Sequence, residues 1–346
     1  MVLRWRVMVT IYDVAALAGV SPATVSRVFN GIKVTPSRAE AVTRAAAELG
    51  FVPNRNARRL RTSSSEIIAM MVPDIENPFF TVMTRAVEDV ARAQGYSVML
   101  CNTDEDPARE QEYLRVAVSD PVAGIIMVPS SRTTDLQLAR ERGVPVVCVD
   151  RRAPGNAFDA VVADNIGGAI AGTRILLESG FRRIGCISGP ERVETAEDRA
   201  AGWRMAVEQA TGAPPSPELL RRAEFTVAGG EQATRELLAL DDPPDAIFAA
   251  NNKLSTGVIR VLAERGILPP TTGVMAFGGL PLVVLSPMGI LVTHLPAREL
   301  GLTAARMLLE RIDGLDTPAR DIVLPVVISN EEDGLTLIDG RTGAFG

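Results

Sequence analysis

Short apolar runs separated by amphipathic stretches fill most of the chain and predict a body of alternating strands and helices. The runs end at Asp, Asn, Pro or Gly, as buried parallel strands do, and they lie at 67–72, 97–100, 124–128, 144–149, 184–188, 223–226, 246–249 and 273–277. The helical stretches lie at 79–94, 108–118, 136–142, 168–178, 195–211, 230–240 and 254–265. Two such series predict two doubly wound subdomains. A helix over 297–312 and a strand over 322–328 are predicted to return to the first subdomain.

The first 50 residues show a different pattern, of short helices with clear ends. The apolar positions of a helix over 11–18 share one face, and they are Ile11, Val14, Ala15 and Ala18. Thr10 with Asp13 is predicted to begin this helix as a capping box, and Gly19 to end it.

Two further helices follow the first. Ser21 and Pro22 begin a second helix, which Asn30-Gly31 is predicted to end. Thr35 is predicted to cap a third helix over 36–49, closed by a glycine, whose apolar stripe covers the first two. Two helices joined by a short turn that contains glycine match a helix-turn-helix motif.

The second helix carries the candidate DNA contacts. Val25 and Val28 face inward, which leaves an outer surface of Pro22, Ala23, Ser26, Arg27 and Asn30. Arg27 suits a bidentate pair with guanine, worth about 1–3 kcal/mol of discrimination, whereas Pro22 and Ala23 offer apolar contact. The side chains better suited to phosphates are Ser21, Thr24, Ser26 and Asn30. The alternative is a three-helix domain that binds protein.

The charge distribution favours a polyanion partner for this head. The chain of 346 residues has a net charge of −6, but residues 1–65 hold ten Arg or Lys against three acids, and the remainder holds 26 against 39. A basic head on an acidic body indicates nucleic acid. A solvated basic face is the alternative.

A basic segment follows the head. Asn54 to Arg61 contains four arginines and one leucine, Leu60, and precedes the linker 62–65. A helix this short is marginal in water, and Leu60 has no evident core to enter. The segment is predicted to fold on DNA with Leu60 as a wedge between base steps; an ordinary linker is the alternative.

These motifs resemble one known family. The segments TIYDVAALAGVSPATVSRVFNG and GFVPNRNARRL are similar to the LacI/GalR family of bacterial transcriptional regulators, and the resemblance runs from Thr10 to about Ile328. It implies Met8 as the translation start. It implies base contacts by Pro22, Ala23 and Arg27, and backbone contacts by Ser21, Thr24, Ser26, Asn30 and Asn54. It places Ala57 in the minor groove and makes Leu60 an intercalating hinge leucine.

The resemblance also implies the domain organisation. The fold class is α plus α/β: a helix-turn-helix head with a hinge helix, then two subdomains of the periplasmic-binding-protein type. The expected ranges are 8–53 for the head, 54–65 for the hinge helix and linker, 66–163 with 296–330 for the N-subdomain, 164–295 for the C-subdomain and 331–346 for a tail. The tail has no leucine heptads, so no tetramerising coiled coil is expected.

Polar side chains at the ends of the predicted strands indicate a ligand cleft between the subdomains. In such folds a ligand lies outside the carboxyl ends of the strands, where this chain has 74–80, Asp150-Arg151, Asp164-Asn165, Arg199, Asn251-Asn252 and Phe277. Polar groups with an aromatic ring suit a polyol or sugar; capping or lobe bridging is the alternative for each residue. The resemblance implies effector contacts by Asn77, Phe79, Asp150, Arg199, Asn251 and Phe277.

Three departures from the family pattern alter the expected ligand. Asn252 stands where the family usually has Asp, Gly278-Gly279 replaces Asp-Asp, and His294-Leu295 replaces Arg-Gln. Because unpaired buried hydroxyls cost about 1–3 kcal/mol each, the pocket is predicted to bind a less hydroxylated or more apolar ligand, or to have lost its effector.

The sequence therefore predicts a DNA-binding regulator of the repressor type. We expect a homodimer on a pseudo-palindromic operator, with allosteric control by a small-molecule effector; a regulator that acts without a sugar effector is the alternative. A single histidine and the lack of nucleophile-elbow, P-loop or dinucleotide motifs argue against an enzyme. Three cysteines without CxxC spacing argue against zinc or disulfides. We expect no cofactor, no membrane contact and a cytoplasmic location. A solute-binding module would need an export signal and no head. A structural nucleic-acid-binding protein would explain the head but not the two-lobed body with its cleft.

Overall fold

A computed structural model describes residues 9–29, 34–51, 65–120, 122–155, 157–280, 289–330 and 334–338. The chain forms two compact units, Met1–Ser64 and Ser65–Gly346.

The first unit contains the three predicted helices, α1 (Ile11–Ala18), α2 (Pro22–Phe29) and α3 (Pro36–Leu49). The Asp13 carboxylate accepts hydrogen bonds of 2.7 Å from both the amide and the hydroxyl of Thr10, and these bonds lower the pKa of Asp13. Gly19 ends α1 in the left-handed conformation, at φ 65°. Thr35 occupies the N-cap position of α3, as predicted, but its side chain makes no cap hydrogen bond. The helix begins with Pro36, whose fixed φ suits this position.

A small apolar core holds the three helices together. Val14 of α1, Val25 of α2 and Val42 of α3 are fully buried. They form one apolar cluster with alanines of α1 and α3. Phe29 and Phe51 add an aromatic contact of 5.8 Å between ring centroids. Each helix therefore contributes one inward face, as its apolar spacing predicts. The predicted stop at Asn30-Gly31 and the segment 54–64 lie outside the described residues.

The second unit contains two sheets, and the first is parallel throughout. Its strands are β1 (Ile67–Val72), β2 (Ser97–Asn102), β3 (Gly124–Met127), β4 (Val146–Val149), β5 (Asp159–Ala163) and β11 (Asp321–Leu324). They lie in the order β11-β5-β4-β3-β1-β2. The helices of this first lobe are α4 (Pro78–Ala93), α5 (Pro107–Ser119), α6 (Gln137–Glu141) and α11 (Ala297–Ile312). Apolar side chains of α4 and α11 cover one face of the sheet.

The second sheet forms the second lobe. Its strands are β6 (Ile184–Ser188), β7 (Leu220–Arg222), β8 (Ala246–Ala249), β9 (Gly273–Phe277), β10 (Ile290–His294), β12 (Val326–Asn330) and β13 (Gly334–Ile338). They lie in the order β13-β12-β10-β9-β8-β6-β7, with β12 and β13 antiparallel to their neighbours. Its helices are α7 (Asn165–Glu178), α8 (Glu194–Thr211), α9 (Val227–Leu238) and α10 (Asn252–Glu264), and a 3-10 turn spans Pro217–Leu219.

The structure corrects three sequence predictions at strand level. The predicted strand 322–328 is two strands, because Pro325 cannot donate to a ladder and the chain crosses to the other sheet there. Residues 326–330 therefore lie in the second lobe, and the predicted tail contributes β13 to it. The predicted strand 223–226 is displaced, since β7 ends at Arg222 and the Thr226 hydroxyl instead caps α9. Sequence analysis also missed β5 and β10.

Both lobes have close-packed apolar interiors. Alternate residues along the strands fill apolar clusters on the two faces of each sheet. Cys101, Cys148 and Cys186 are free and buried within these interiors. None of the helices in the described ranges is long and apolar enough to cross a membrane.

A buried carboxylate fixes the return of the chain to the first lobe. Asp159, at the start of β5, accepts hydrogen bonds from Arg311 at 2.8 and 2.9 Å and from the Arg320 guanidinium and amide at 3.0 and 2.8 Å. Burial alone would raise the pKa of Asp159, but these hydrogen bonds outweigh it and lower the pKa to about 2. The Asp159 carboxylate thus connects β5 to the end of α11 and to the segment that precedes β11.

We expect Asp159→Asn to lower the free energy of unfolding by about 3 kcal/mol at pH 7, because two guanidinium groups lose their partner. Since the folded-state pKa lies below the unfolded one, the contribution is complete above pH ~4 and disappears as the pH falls through about 2. Urea unfolding at pH 7, 4 and 2 measures this. Asp241→Asn, at an exposed position, is the control. The assignment would be contradicted if the difference in unfolding free energy between wild type and Asp159→Asn stayed the same at acid pH.

Candidate functional site

A cleft of about 690 Å³ lies between the two lobes of the second unit. Its walls come from the carboxyl ends of the parallel strands of both sheets, where a doubly wound fold binds its ligands. All six residues predicted as effector contacts line it: Asn77, Phe79, Asp150, Arg199, Asn251 and Phe277. The topology therefore brings together side chains that are 200 positions apart in the sequence.

Asp150 places a carboxylate in the cleft with unused hydrogen-bonding capacity. It follows β4 in a left-handed conformation, at φ 67°, and it is buried. Its Oδ1 has no hydrogen-bond partner among the described residues. Burial raises the pKa of Asp150, and the positive charges of Arg151 and Arg199 oppose this rise. A buried carboxylate oxygen without a donor is ready to accept a hydrogen bond from a ligand.

Arg199 presents a positive charge that no carboxylate within 4 Å neutralises. Its Nε donates to the Asn165 side-chain oxygen at 2.8 Å, and its Nη1 donates to the carbonyl oxygen of Ala250 at 2.8 Å. The guanidinium carbon lies 4.4 Å from the centre of the Phe277 ring. Burial lowers the pKa of Arg199 to about 10, so the group remains a cation at neutral pH. Three contacts fix its orientation.

A buried ion pair flanks Asp150. Arg151 donates to both carboxylate oxygens of Glu105, at 2.7 and 2.6 Å, and also contacts the carbonyl of Pro129. Sequence analysis missed Glu105 and Asp104, which line the cleft and both have positive φ. Their signal was available, because the acidic run 104–106 directly follows β2. The Arg151 Nε also lies 3.6 Å from Asp150 Oδ2, so the charges of both Arg151 and Arg199 act on Asp150.

Two polar pairs join the lobes across the cleft. The amides of Asn77 and Asn252 exchange hydrogen bonds, of 3.3 Å from Asn77 and 2.9 Å from Asn252. Lys253 pairs with Asp74 beside them. The Asn77 oxygen also caps α4 by accepting from the Phe79 amide at 3.1 Å. We name these four residues, Asp74, Asn77, Asn252 and Lys253, the interlobe latch.

The remaining strand-end residues divide between the cleft and structural tasks. The Asn251 oxygen caps α10 at 2.9 Å, while its Nδ2 has no partner among the described residues and lines the cleft. Asp164 and Asn165, which sequence analysis assigned to the cleft, do not line it. Asp164 caps α7 through Gly167 at 2.8 Å, and Asn165 holds Arg199, because both lie at the crossing from β5 into the second lobe.

The positions that depart from the family pattern also line the cleft. Gly278 and Gly279 bring no side chain, and Gly278 has φ 91°. The nearest side chains to a Cβ built at Gly278 are Asn252 at 3.6 Å and Leu295 at 3.8 Å, and a Cβ at Gly279 meets open space. His294 pairs with the Ser329 hydroxyl at 2.7 Å, and burial lowers its pKa. Gly278 and Gly279 therefore contribute no side-chain hydrogen-bonding group to the wall.

In the first unit, α2 has the face predicted for DNA recognition. Arg27 and Ala23 are exposed, and Pro22, Thr24 and Ser26 are half-buried. The Ser21 oxygen caps the helix by accepting from the Thr24 amide at 3.2 Å. The other predicted DNA contacts, Asn30, Asn54, Ala57 and Leu60, lie outside the described residues.

Comparisons with known proteins agree with both units. The model for bacterial regulatory proteins of the lacI family matches residues 10–54. The model for periplasmic binding proteins and the sugar binding domain of the LacI family matches residues 65–332. The ribose operon repressor of Halalkalibacterium halodurans is 35% identical over 331 residues, which cover 94% of this chain and 98% of that protein.

Solved structures give the same result. The complex of the transcriptional regulator CelR with cellobiose matches with a TM-score of 0.71 and 31% identity, over 94% of this chain and 100% of that one. The lac repressor dimer bound to operator and the anti-inducer ONPF matches with a TM-score of 0.79 over 92% of this chain and 97% of that one; at 24% identity this shows the fold. The curated relatives are transcriptional regulators, which agrees with the prediction that this chain is not an enzyme.

We expect Asp150→Asn to stabilise the ligand-free protein by about 1 kcal/mol, because the neutral amide removes the cost of a buried, unpaired carboxylate oxygen. The raised pKa of Asp150 predicts a stabilising effect of the substitution. At pH 7 the carboxyl group is ionised in the unfolded chain, and a pKa raised by folding means that the ionised form destabilises the folded state. Asn also tolerates the left-handed backbone at this position. Thermal unfolding at pH 7 measures the effect, with Asp241→Asn as control. A lower melting temperature would show that the ion pair between Asp150 Oδ2 and Arg151, at 3.6 Å, outweighs the cost of burying the carboxylate.

Proposed function

Because this chain belongs to the LacI family of bacterial regulatory proteins, we propose that it represses transcription from a pseudo-palindromic operator as a homodimer, under the control of a small molecule in the interlobe cleft. The observation that carries the proposal is the combination, in one chain, of an exposed Arg27 on a helix-turn-helix with a cleft that contains an unpaired Asp150. A DNA reader and a ligand receptor are together what a ligand-controlled regulator requires.

DNA recognition is assigned to α2. Arg27 reads a guanine in the major groove, and Pro22 and Ala23 contact neighbouring bases through apolar surface. Backbone phosphates are assigned to Ser21, Thr24, Ser26, Asn30 and Asn54. Ala57 and Leu60 are assigned to the minor groove at the centre of the operator. Because a bacterial operator lies on chromosomal DNA, the proposal includes a cytoplasmic location for the protein.

The exposed edge of the first sheet supports the homodimer. β2 is an edge strand with no partner on its outer side among the described strands. Leu100 and Met99 on β2 and Val82 on α4 are exposed, Leu100 to 46%. An apolar edge of this kind invites association unless a partner covers it. A second copy would cover the same patch by two-fold symmetry and place two heads on two half-sites.

The effector is assigned to Asp150, Arg199 and Asn251, with aromatic contacts from Phe79 and Phe277. Asn77 also lines the cleft, but its amide is engaged in the interlobe latch. A ligand that binds one lobe arrangement better than another shifts the two-state equilibrium toward it and so changes the affinity for operator.

A second candidate function is a regulator without a sugar effector. The observation that favours it is the same latch, because Asn77 and Asn252 satisfy each other and Lys253 neutralises Asp74 without any ligand. CelR is solved with cellobiose, a ligand rich in hydroxyls, whereas Gly278-Gly279 offers hydroxyls no acceptor side chain.

We expect Arg27→Ala to reduce the preference for the operator over a scrambled duplex by about 1–3 kcal/mol, because a bidentate contact to guanine is lost. Fluorescence anisotropy with the gene's upstream region, at two salt concentrations, measures this. The exposed Arg44→Ala on α3 is the matched control, which should weaken both duplexes alike. If Arg27→Ala keeps the full wild-type preference for the operator, Arg27 does not read a base.

We expect Leu100→Arg to convert the dimer into monomers and to weaken operator binding by about tenfold or more, because the two heads then bind independently. Sedimentation velocity gives the oligomeric state. Val323→Arg, on the edge strand β11 at the other side of the same sheet, is the control and should remain dimeric. A dimeric Leu100→Arg protein would place the interface elsewhere.

A further inference from the structure

We propose that Asn252 closes the interlobe latch through protein contacts alone, because its side-chain amide completes a reciprocal pair with Asn77 of the other lobe. We call the arrangement of the two lobes in which the latch is formed the closed arrangement. The closed arrangement is then the resting state of the second unit, whether or not the first unit binds an operator, and no ligand is needed to reach it.

Backbone groups fix the orientation of both side-chain amides. The Asn77 oxygen accepts from the Phe79 backbone amide at 3.1 Å, and the Asn252 oxygen accepts from the Lys253 backbone amide at 2.9 Å. Each side-chain nitrogen is therefore directed away from its own helix start, and each donates to the oxygen of the other residue, at 3.3 Å from Asn77 and 2.9 Å from Asn252. The starts of α4 and α10 thus set the direction of both hydrogen bonds between the lobes.

The reciprocal pair requires an amide at position 252. An amide has both a donor and an acceptor, whereas an ionised carboxylate has acceptors alone. An Asp at this position would place an oxygen against the Asn77 oxygen, where the Asn252 nitrogen now donates at 2.9 Å. Because Asn77 and Asn252 are both buried, two oxygens without a proton between them are unfavourable there. Asn252, at a position where the family usually has Asp, is therefore the residue that lets the pair form in both directions.

Lys253 adds an ion pair beside the amide pair. Its ammonium group pairs with the Asp74 carboxylate of the first lobe, and both side chains are partly exposed. The Asp74 carboxylate also accepts from the Glu76 backbone amide at 2.9 Å, which fixes its position. An ion pair that water can reach is weak on its own. The amide pair holds the start of α10 against the first lobe and so keeps these two charges together.

A second set of contacts joins other strand ends of the same two lobes. The Arg132 backbone amide, after β3, donates to the carbonyl oxygen of Arg192, after β6, at 3.2 Å. The Arg132 guanidinium also lies 3.7 Å from the Asp198 carboxylate. Arg152, after β4, donates to Glu194 at the start of α8, at 2.9 Å. Because each lobe is a packed body, contacts at two separate places restrain them together, and a weaker latch should loosen the second set as well.

Carbodiimide cross-linking of the dialysed full-length protein tests whether the closed arrangement is the resting state. The reagent joins a lysine to a carboxylate that contacts it, through an amide bond. Lys253 and Asp74 are both accessible to it, and Lys33 is the one other lysine in the sequence, so mass spectrometry can assign the product. We expect the amide between Lys253 and Asp74 as the main product of Lys253. If Lys253 stays unmodified or reacts only within its own lobe, the proposal is overturned.

Hydrogen exchange of the Arg132 backbone amide tests whether Asn252 holds the lobes closed. The acceptor of this amide lies in the other lobe and outside the latch, so its exchange reports opening from a distance. We expect Asn252→Asp to raise the exchange rate at least about fivefold, because one hydrogen bond is lost and two oxygens face each other. Asn252→Ala removes both hydrogen bonds without adding a charge and should act in the same direction. The start of α10 tolerates either residue.

Two controls show whether the effect belongs to the latch. The Val128 amide, bonded to the Met71 oxygen within the first lobe at 2.9 Å, should keep its wild-type exchange rate in every variant. Gln209→Glu, at an exposed position on α8, makes the same change from amide to carboxylate away from the latch and should leave the Arg132 rate unchanged. A wild-type rate for the Arg132 amide in either Asn252 variant, folded by circular dichroism, overturns the proposal.

Operator binding by the same wild-type preparation separates this result from the proposed function. Protein that lacks any operator preference refutes the regulator and leaves the cross-linking and exchange results unaffected. Protein that prefers its operator but does not form the Lys253–Asp74 product refutes the closed resting state alone.

Discussion

The ligand cleft depends on one buried guanidinium, that of Arg199. It contacts Asn165 at the crossing between the lobes, the carbonyl of Ala250 after β8 and the ring of Phe277 at the end of β9. Three separate strand ends are thus held by a single side chain with no carboxylate within 4 Å. A buried cation with only neutral partners is unfavourable unless the site uses its charge. The carboxylate that favours this charge most is that of Asp150, which comes from the other lobe and has an unpaired oxygen of its own.

The backbone geometry around this site lowers the folding stability of the protein. Asp104, Glu105 and Asp150 all have positive φ, a conformation that costs non-glycine residues energy and that clusters at functional sites. The two hydrogen bonds that Arg151 donates to the Glu105 carboxylate hold this loop in place. The surrounding parallel sheets, buried on both faces, supply the rigidity that makes the strain tolerable.

Local signals predicted the local structure well, and long-range pairing could not be predicted. The bounds of α1, α2 and α3 follow from Gly19, Pro22, Pro36 and Gly50, because caps and prolines act within one turn. Strand-end side chains identified most of the cleft, since the carboxyl ends of parallel strands meet at one edge. The position of Pro325 could have indicated that the predicted strand 322–328 is interrupted. Only the sheet order shows that the residues before it join the first lobe and those after it the second. The amide pair of Asn77 and Asn252 joins positions 175 residues apart, and no periodicity reports it.

The interlobe latch constrains how any effector can act. A ligand shifts a conformational equilibrium only by the difference between its affinities for the two states. Because Asn77 with Asn252 and Asp74 with Lys253 already hold the lobes together, a ligand gains nothing from forming contacts that exist in its absence. Its leverage must come from groups outside the latch, chiefly the unpaired oxygen of Asp150 and the charge of Arg199. The remaining control therefore lies where Asp150 of the first lobe and Arg199 of the second lobe line the same cleft with opposite charges.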